Sequence, residues 1–290
     1  MTPNKWGDKG TLFSKNQKLK CGEKLLDLSI PRVIGVLNIT PDSFYDGGRF
    51  TNIPDGLNHV EKMIADGAAI IDVGAASTRP GAALVPEDVE SDRLLPFVKA
   101  IRKEFPGIII SIDTYRSKVA SKAVDEGADM INDISGGLFD DKMFDVLSQT
   151  GAAYILMHIK GTPESMQHNP SYEDVVKEIL LFFVSQVKLL RKMGVENIIL
   201  DPGFGFGKSV GHNYEILQKL DNFVELGLPV AVGVSRKSMI NKVLGTIPSE
   251  ALNGTTVLNT IAILMGAHIL RVHDVKEAVE TIELCANFMK

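Results

Sequence analysis

The chain has 290 residues, 44% of them hydrophobic and 23% charged, which is ordinary globular composition and room for one α/β barrel. Lys plus Arg number 31 against 36 Asp plus Glu, a net charge of −5, so the basic surface of a nucleic-acid binder is not expected. No apolar run reaches the ~18 residues of a membrane span, and the Lys-rich polar start carries no secretory pattern. Cys21 and Cys285 sit near opposite ends, with neither disulfide nor metal spacing, and read as reduced thiols of a cytoplasmic protein.

In chain order, residues 1–30 form an N-terminal extension; a short hairpin lid on a barrel floor is one form open to it. Apolar runs predict strands near 33–38, 69–74, 108–113, 129–133, 152–158, 197–201, 229–234 and 268–272. Helical spacing predicts helices near 55–66, 87–104, 116–127, 140–149, 171–193, 213–220, 237–266 and 274–288. Strand and helix alternate throughout, which favours a single-domain (β/α)8 TIM barrel over residues 31–290. The competitor is a doubly wound open sheet, but the first strand runs into Asn-Ile-Thr-Pro rather than a glycine-rich dinucleotide turn. Pro96 should kink or split its helix. Ser171 followed by Asp174 marks a helix start, with Val176, Ile179, Phe183, Val187 and Leu190 on one face. Gly67, Gly127 and Gly194 each follow a helical segment where a left-handed residue is needed. Residues 251–266 are apolar nearly all round, so that helix is expected to be covered.

Active sites of such barrels sit at the C-terminal ends of the strands. Those ends carry Asn38, Asp113, Asn132, His158, Asp201, Lys237, Arg271 and His273. Taken singly each has a bland reading. Asp274 caps the last helix, His158 is a core histidine, and Arg236 and Lys208 are solvated charges. Convergence argues otherwise for Asn38, Asp113, Asn132, Asp201, Lys237, Arg271 and His273, because unpaired burial of each group costs kilocalories. Asp113, Asn132, Asp201 and Lys237 form a donor–acceptor set suited to a flat, amide-like heterocycle. Arg79, Arg271 and His273, with Asn38 and Thr78, suit a phosphate or diphosphate, and an Asn carbonyl is a fitting Mg²⁺ ligand. The Gly-rich run ending in Lys208 is no Walker loop, since position 202 is Pro where that loop needs Gly. His158 and His168 are not at zinc-pair spacing.

Seven motifs, in order, carry a family resemblance: Asn38-Ile-Thr-Pro-Asp-Ser-Phe44, Ser77-Thr-Arg-Pro-Gly81, Ser111-Ile-Asp113, Asn132-Asp-Ile-Ser-Gly136, Leu200-Asp-Pro-Gly-Phe-Gly-Phe-Gly-Lys208, Ser235-Arg-Lys-Ser238 and Arg271-Val-His273. From about residue 25 onward the chain resembles the dihydropteroate synthases. The departure is Ala75-Ala76, where members often have Gly-Glu. The resemblance implies condensation of 6-hydroxymethyl-7,8-dihydropterin diphosphate with 4-aminobenzoate, giving 7,8-dihydropteroate and pyrophosphate by an SN1-like path. It implies pterin contacts at Asp113, Asn132, Asp201 and Lys237, and diphosphate contacts at Asn38, Thr78, Arg79, Arg271 and His273. Mg²⁺ would lie on Asn38. Thr78, Pro80, Phe206, Lys237 and Ser238 would line the aminobenzoate site. Asp46, Thr78, Arg79, Asp113 and Lys237 would carry the chemistry, and the chain would form a homodimer. A methyltetrahydrofolate methyltransferase working with a corrinoid partner would share Asp113, Asn132 and Asp201 but needs no diphosphate site. An inactive pterin-binding homologue would not need Asp46, Thr78 and Arg79.

Overall fold

The computed structural model describes residues 18–39, 52–76 and 85–289. Asp46, Thr78, Arg79 and Pro80 lie outside the described residues. Eight parallel strands make one sheet: β3 (Arg32–Asn38), β4 (Ile70–Gly74), β5 (Ile109–Asp113), β6 (Met130–Asp133), β7 (Ala153–Met157), β8 (Ile198–Asp201), β9 (Ala231–Val232) and β10 (Ile269–Val272). Their order is β8-β7-β6-β5-β4-β3-β10-β9, and a parallel bridge from Leu200 to Val230 joins the two ends into a barrel. The strands are buried on both sides, as strands between a filled bore and a helical jacket must be.

Around the barrel lie α1 (Ile53–Ala65), α2 (Glu87–Glu104), α3 (Ser117–Asp125), α4 (Met143–Thr150), α5 (Val175–Lys192), α6 (Val210–Gln218), α7 (Asp221–Val224), α8 (Ser238–Leu244), α9 (Leu252–Leu264) and α10 (Val275–Phe288). Their starts have local causes. The Asn52 side chain accepts from the Asp55 N–H at 2.9 Å, and Asp174 accepts from the Lys177 N–H at 2.9 Å. The cap of α5 is therefore Asp174 and not Ser171, and the face carrying Val176, Ile179, Phe183 and Leu190 is buried. Ser209 and His212 close a reciprocal capping pair, so α6 begins before residue 213.

Two expectations on helices are corrected. Helix α2 runs unbroken through Pro96. Pro96 and Asp92 are both exposed, so the carbonyl that loses its partner at Pro96 can turn to water. Residues 237–266 are not one helix. Gly245, at φ +67°, ends α8, Pro248 opens a short 3₁₀ turn, and α9 follows.

Before the barrel, β1 (Lys18–Cys21) and β2 (Lys24–Asp27) pair as an antiparallel hairpin. Its Leu19, Cys21 and Leu26, with Leu28 just after it, pack against Ile34, Ile70, Ile109, Met130, Ile155, Ile199, Ala231 and Ile269, and Ala153 at the start of β7 joins them. The eight from Ile34 to Ile269 come one from each strand, at the N-terminal end of the bore. Side chains along a strand alternate faces. Two residues further on, the inward positions are therefore Val36, Asp72, Ser111, Asn132, Met157, Asp201, Gly233 and Arg271. The bore changes from apolar to polar in one step along the strands. Among the described residues, no helix is long and apolar enough to cross a membrane.

Candidate active site

A cleft of about 310 Å³, counted out to its open mouth, lies above that polar layer. Its walls are Asp113, Asn132, Ile134, Met157, Asp201, Phe206, Gly233, Lys237 and Arg271. Of the residues singled out in the sequence, Asp113, Asn132, Asp201, Lys237, Arg271 and Phe206 are thus brought together. Asn38 adjoins them: a β-carbon built on Gly74 would stand 3.7 Å from Asn38 Oδ1 and 3.4 Å from Asp113 Cβ. His273 follows Arg271 by one inward step, and its Nδ1 is 3.1 Å from Ser235 Oγ. Ser238 opens α8 beside Lys237 and is exposed, away from the cleft walls.

The charges in this site are strongly coupled. Arg271 donates from Nε to Asp72 Oδ2 at 2.7 Å and from Nη2 to Asp113 Oδ2 at 2.8 Å. Burial works against its charge, but Asp72 and Asp113 outweigh that and hold the guanidinium protonated more firmly than usual. The pairing sets the Arg271 guanidinium beside Asp113 on the cleft wall. Asp113 Oδ1 is buried and has no hydrogen-bond partner. Burial pushes the Asp113 carboxyl up to about 7; Arg271 opposes this and the neighbouring Asp72 adds to it. A buried acceptor without a donor is costly, and a ligand N–H would remove the cost.

Asp201 is also pushed up by burial, against the pull of Lys237. One of its oxygens accepts from the Gly203 N–H at 2.7 Å. Lys237 donates to the Phe204 carbonyl, and its Nζ stands 4.6 Å from the centre of the Phe206 ring. Burial lowers the Lys237 ammonium to about 8, with Asp201 resisting and Arg271 assisting.

The structure settles four bland readings. His158 is a buried histidine, as read, and burial holds it neutral by lowering its pKa to about 2. Lys208 is not a solvated charge. It is 3% exposed and reaches His158 Nδ1 at 3.1 Å, the His158 carbonyl at 3.1 Å and the Phe206 carbonyl at 2.9 Å. Arg236 is not solvated either, because its guanidinium grips the Asp274 carboxylate at 2.9 and 2.5 Å. That pairing takes the Asp274 carboxylate, and no side-chain cap bond to α10 forms.

Sequence reasoning missed Asp72, the fully buried centre of this network. It accepts from Ser111 Oγ at 2.6 Å, Asn132 Nδ2 at 2.9 Å and Arg271 Nε. The signal was present: Asp72 and Ser111 lie one inward step before Gly74 and Asp113. It missed Ile134, Met157 and Gly233 too, which supply apolar and open wall.

The model of a family described as pterin binding enzyme matches residues 34–273. The dihydropteroate synthase of Escherichia coli is 46% identical over 261 residues, covering 89% of this chain and 92% of its own. The chain belongs to the dihydropteroate synthase family. The crystal structure of the Yersinia pestis dihydropteroate synthase in complex with a sulfonamide drug superposes with a TM-score of 0.90 at 40% identity, covering 94% of this chain and 99% of that one. The Thermus thermophilus dihydropteroate synthase in complex with 4-aminobenzoate gives a TM-score of 0.83 at 37% identity, covering 93% and 99%. Membership makes the chain an enzyme of the transferase class, and the barrel is the fold of its synthase relatives.

Proposed function

We propose that the cleft condenses 6-hydroxymethyl-7,8-dihydropterin diphosphate with 4-aminobenzoate by an SN1-like path. The observation that carries the reading is the convergence on one cleft of Asp113, with its unpartnered buried oxygen, Asn132, Asp201 and Lys237. Asp113, Asn132 and Asp201 accept from the ring N–H and exocyclic amine of the pterin, and Lys237 donates to a ring nitrogen or carbonyl oxygen. When diphosphate leaves, positive charge develops on the pterin methylene carbon. The Asp113 carboxylate, held in a dry site, stabilises that charge electrostatically. Arg271 and His273, with Asn38, Thr78 and Arg79, take the negative leaving group. Phe206 and Lys237 wall the aminobenzoate position with Thr78, Pro80 and Ser238. Asp46 assists the developing cation or the attacking amine.

Mg²⁺ fits this donor set in one way only. No group of three or more His, Cys, Asp or Glu suited to a metal occurs among the described residues. Mg²⁺ commonly takes few protein ligands and completes its shell with water and substrate phosphates. Asn38 Oδ1 is the protein ligand of this proposal, and a bound Mg²⁺ would neutralise the leaving diphosphate.

We extend the proposal to a homodimer in the cytoplasm. Val257, Ile261, Leu284 and Phe288 are exposed on α9 and α10, an apolar face of the kind that subunits cover. Light scattering after gel filtration measures that state. The catalytic test is incubation of the purified chain with Mg²⁺, pterin diphosphate and 4-aminobenzoate. Pyrophosphate and dihydropteroate are expected in equal amounts. A folded protein giving neither would refute the reading.

A further inference from the structure

Asp72 is the one carboxylate in the polar layer that touches three other elements of the barrel. Oδ1 takes the Ser111 hydroxyl from β5, while Oδ2 takes the Asn132 amide from β6 and the Arg271 guanidinium from β10. It is fully buried and is not among the cleft walls, so a ligand in the cleft meets its partners rather than Asp72 itself. A carboxylate only accepts. The nitrogen end of the Asn132 amide must therefore face Asp72, and its Oδ1 turns toward the cleft that Asn132 lines.

We propose that Asp72 is a positioning residue that fixes the amide orientation of Asn132, so that the deep cleft reads ligand N–H groups with Asn132 Oδ1. The inference rests on the assignment of Asn132 to the pterin. An Asn side chain left to itself can offer either end. With Asp72 in place, the reversed amide would aim an oxygen at the Asp72 Oδ2 oxygen, a repulsion with no donor between them. Asn132 then joins Asp113 and Asp201 as a third acceptor, and Lys237 is the donor facing them. That pattern matches an amino-substituted ring amide and rejects a heterocycle that offers acceptors in those positions. Ser111 serves the same end from behind. Its hydrogen bond to Oδ1 leaves Oδ2 as the atom shared by Asn132 and Arg271.

The test titrates 6-hydroxymethylpterin calorimetrically into the full-length protein, wild type and variants. Asp72→Ala should weaken binding about tenfold, the scale of one buried hydrogen bond and its disordered partner. Asp72→Asn should bind within about threefold of wild type. Its nitrogen can turn to the Ser111 oxygen while its own oxygen still faces Asn132 and Arg271. Asn132→Ala should weaken binding by itself, and adding Asp72→Ala to it should cost no more than about a further twofold. Losses that multiply, or equal losses in Asp72→Ala and Asp72→Asn, would overturn the proposal. Wild-type binding by Asp72→Ala while Asn132→Ala is weakened overturns it and leaves the pterin assignment standing. Wild-type binding by Asn132→Ala overturns both. Should Asp72→Ala fail to fold by circular dichroism, Ser111→Ala takes its place in the cycle. About threefold weakening, absent in the Asn132→Ala background, is then expected, and no weakening overturns the proposal.

Discussion

Lys237 is the residue on which both substrate positions depend. It ends the loop after β9, donates to the Phe204 carbonyl and lies against the Phe206 ring. Lys237→Ala should lower kcat/KM for both the pterin diphosphate and 4-aminobenzoate, by roughly 10- to 100-fold each in steady-state assays. Turnover and binding near wild type would sink its assignment. Its titration gives a second expectation together with Asp113. Asp113 must be ionised to accept from the ring, and Lys237 must be protonated to donate. With Asp113 near 7 and Lys237 near 8, kcat/KM for the pterin should rise through about pH 7 and fall through about pH 8. A flat profile from pH 6 to 9 counts against both roles. The same shift acts on folding. A carboxyl whose folded pKa is raised supports the fold fully below its unfolded pKa and loses that support as pH rises through about 7. Asp113→Asn, which does not titrate, should gain on wild type by roughly 2–5 °C in Tm between pH 5 and pH 8. Strand-end residues such as Asp113 and Lys237 were legible because chemistry in this fold gathers at those ends. Asp72 was not, because a lone polar residue inside an apolar strand reads as an interruption until the alternation of faces is counted across all eight strands.

At the scale of elements, the loop from Asp201 to Lys208 shows why glycine recurs where it does. A β-carbon on Gly203 would lie 1.9 Å from the His158 carbonyl oxygen, and Gly203 has φ +72°. No side chain fits there without moving backbone. The loop can therefore rest directly on the segment after β7, where Lys208 ties it to His158 and to the Phe206 carbonyl. Gly203→Ala should destabilise the protein by about 3 kcal/mol and also impair aminobenzoate use, because Phe206 rides on the displaced loop. A denaturant melt with unchanged midpoint would contradict this. The sequence showed the glycines and the lysine but not their purpose. A buried lysine and a surface lysine are spelled alike, and only the carbonyls that converge on Lys208 tell them apart. Helix boundaries failed for the same reason. Asp174 takes the cap from Ser171, and exposure of Pro96 and Asp92 removes the expected break in α2.

For the whole molecule, alternation of strand and helix was enough to read the barrel, since eight such units have few other ways to bury their strands. The polar cleft followed from the strand ends. Left open was how the far end is finished, because a four-residue strand pair carries little pattern. The hairpin finishes it with Leu19 and Leu26, and with Leu28 just after it, against the lowest inward layer. A chain beginning at residue 30 should bare that layer, bind a hydrophobic dye in its native state and melt about 10 °C lower, on ~1.5–3 kcal/mol per buried leucine. An unchanged melt would show that the hairpin is ornamental. The plug also makes the bore a blind well. Water has one way in and out, so solvent displaced from the bottom must leave past the arriving ligand. Substitutions around the rim should then change how fast ligands exchange far more than how tightly the deepest one is held.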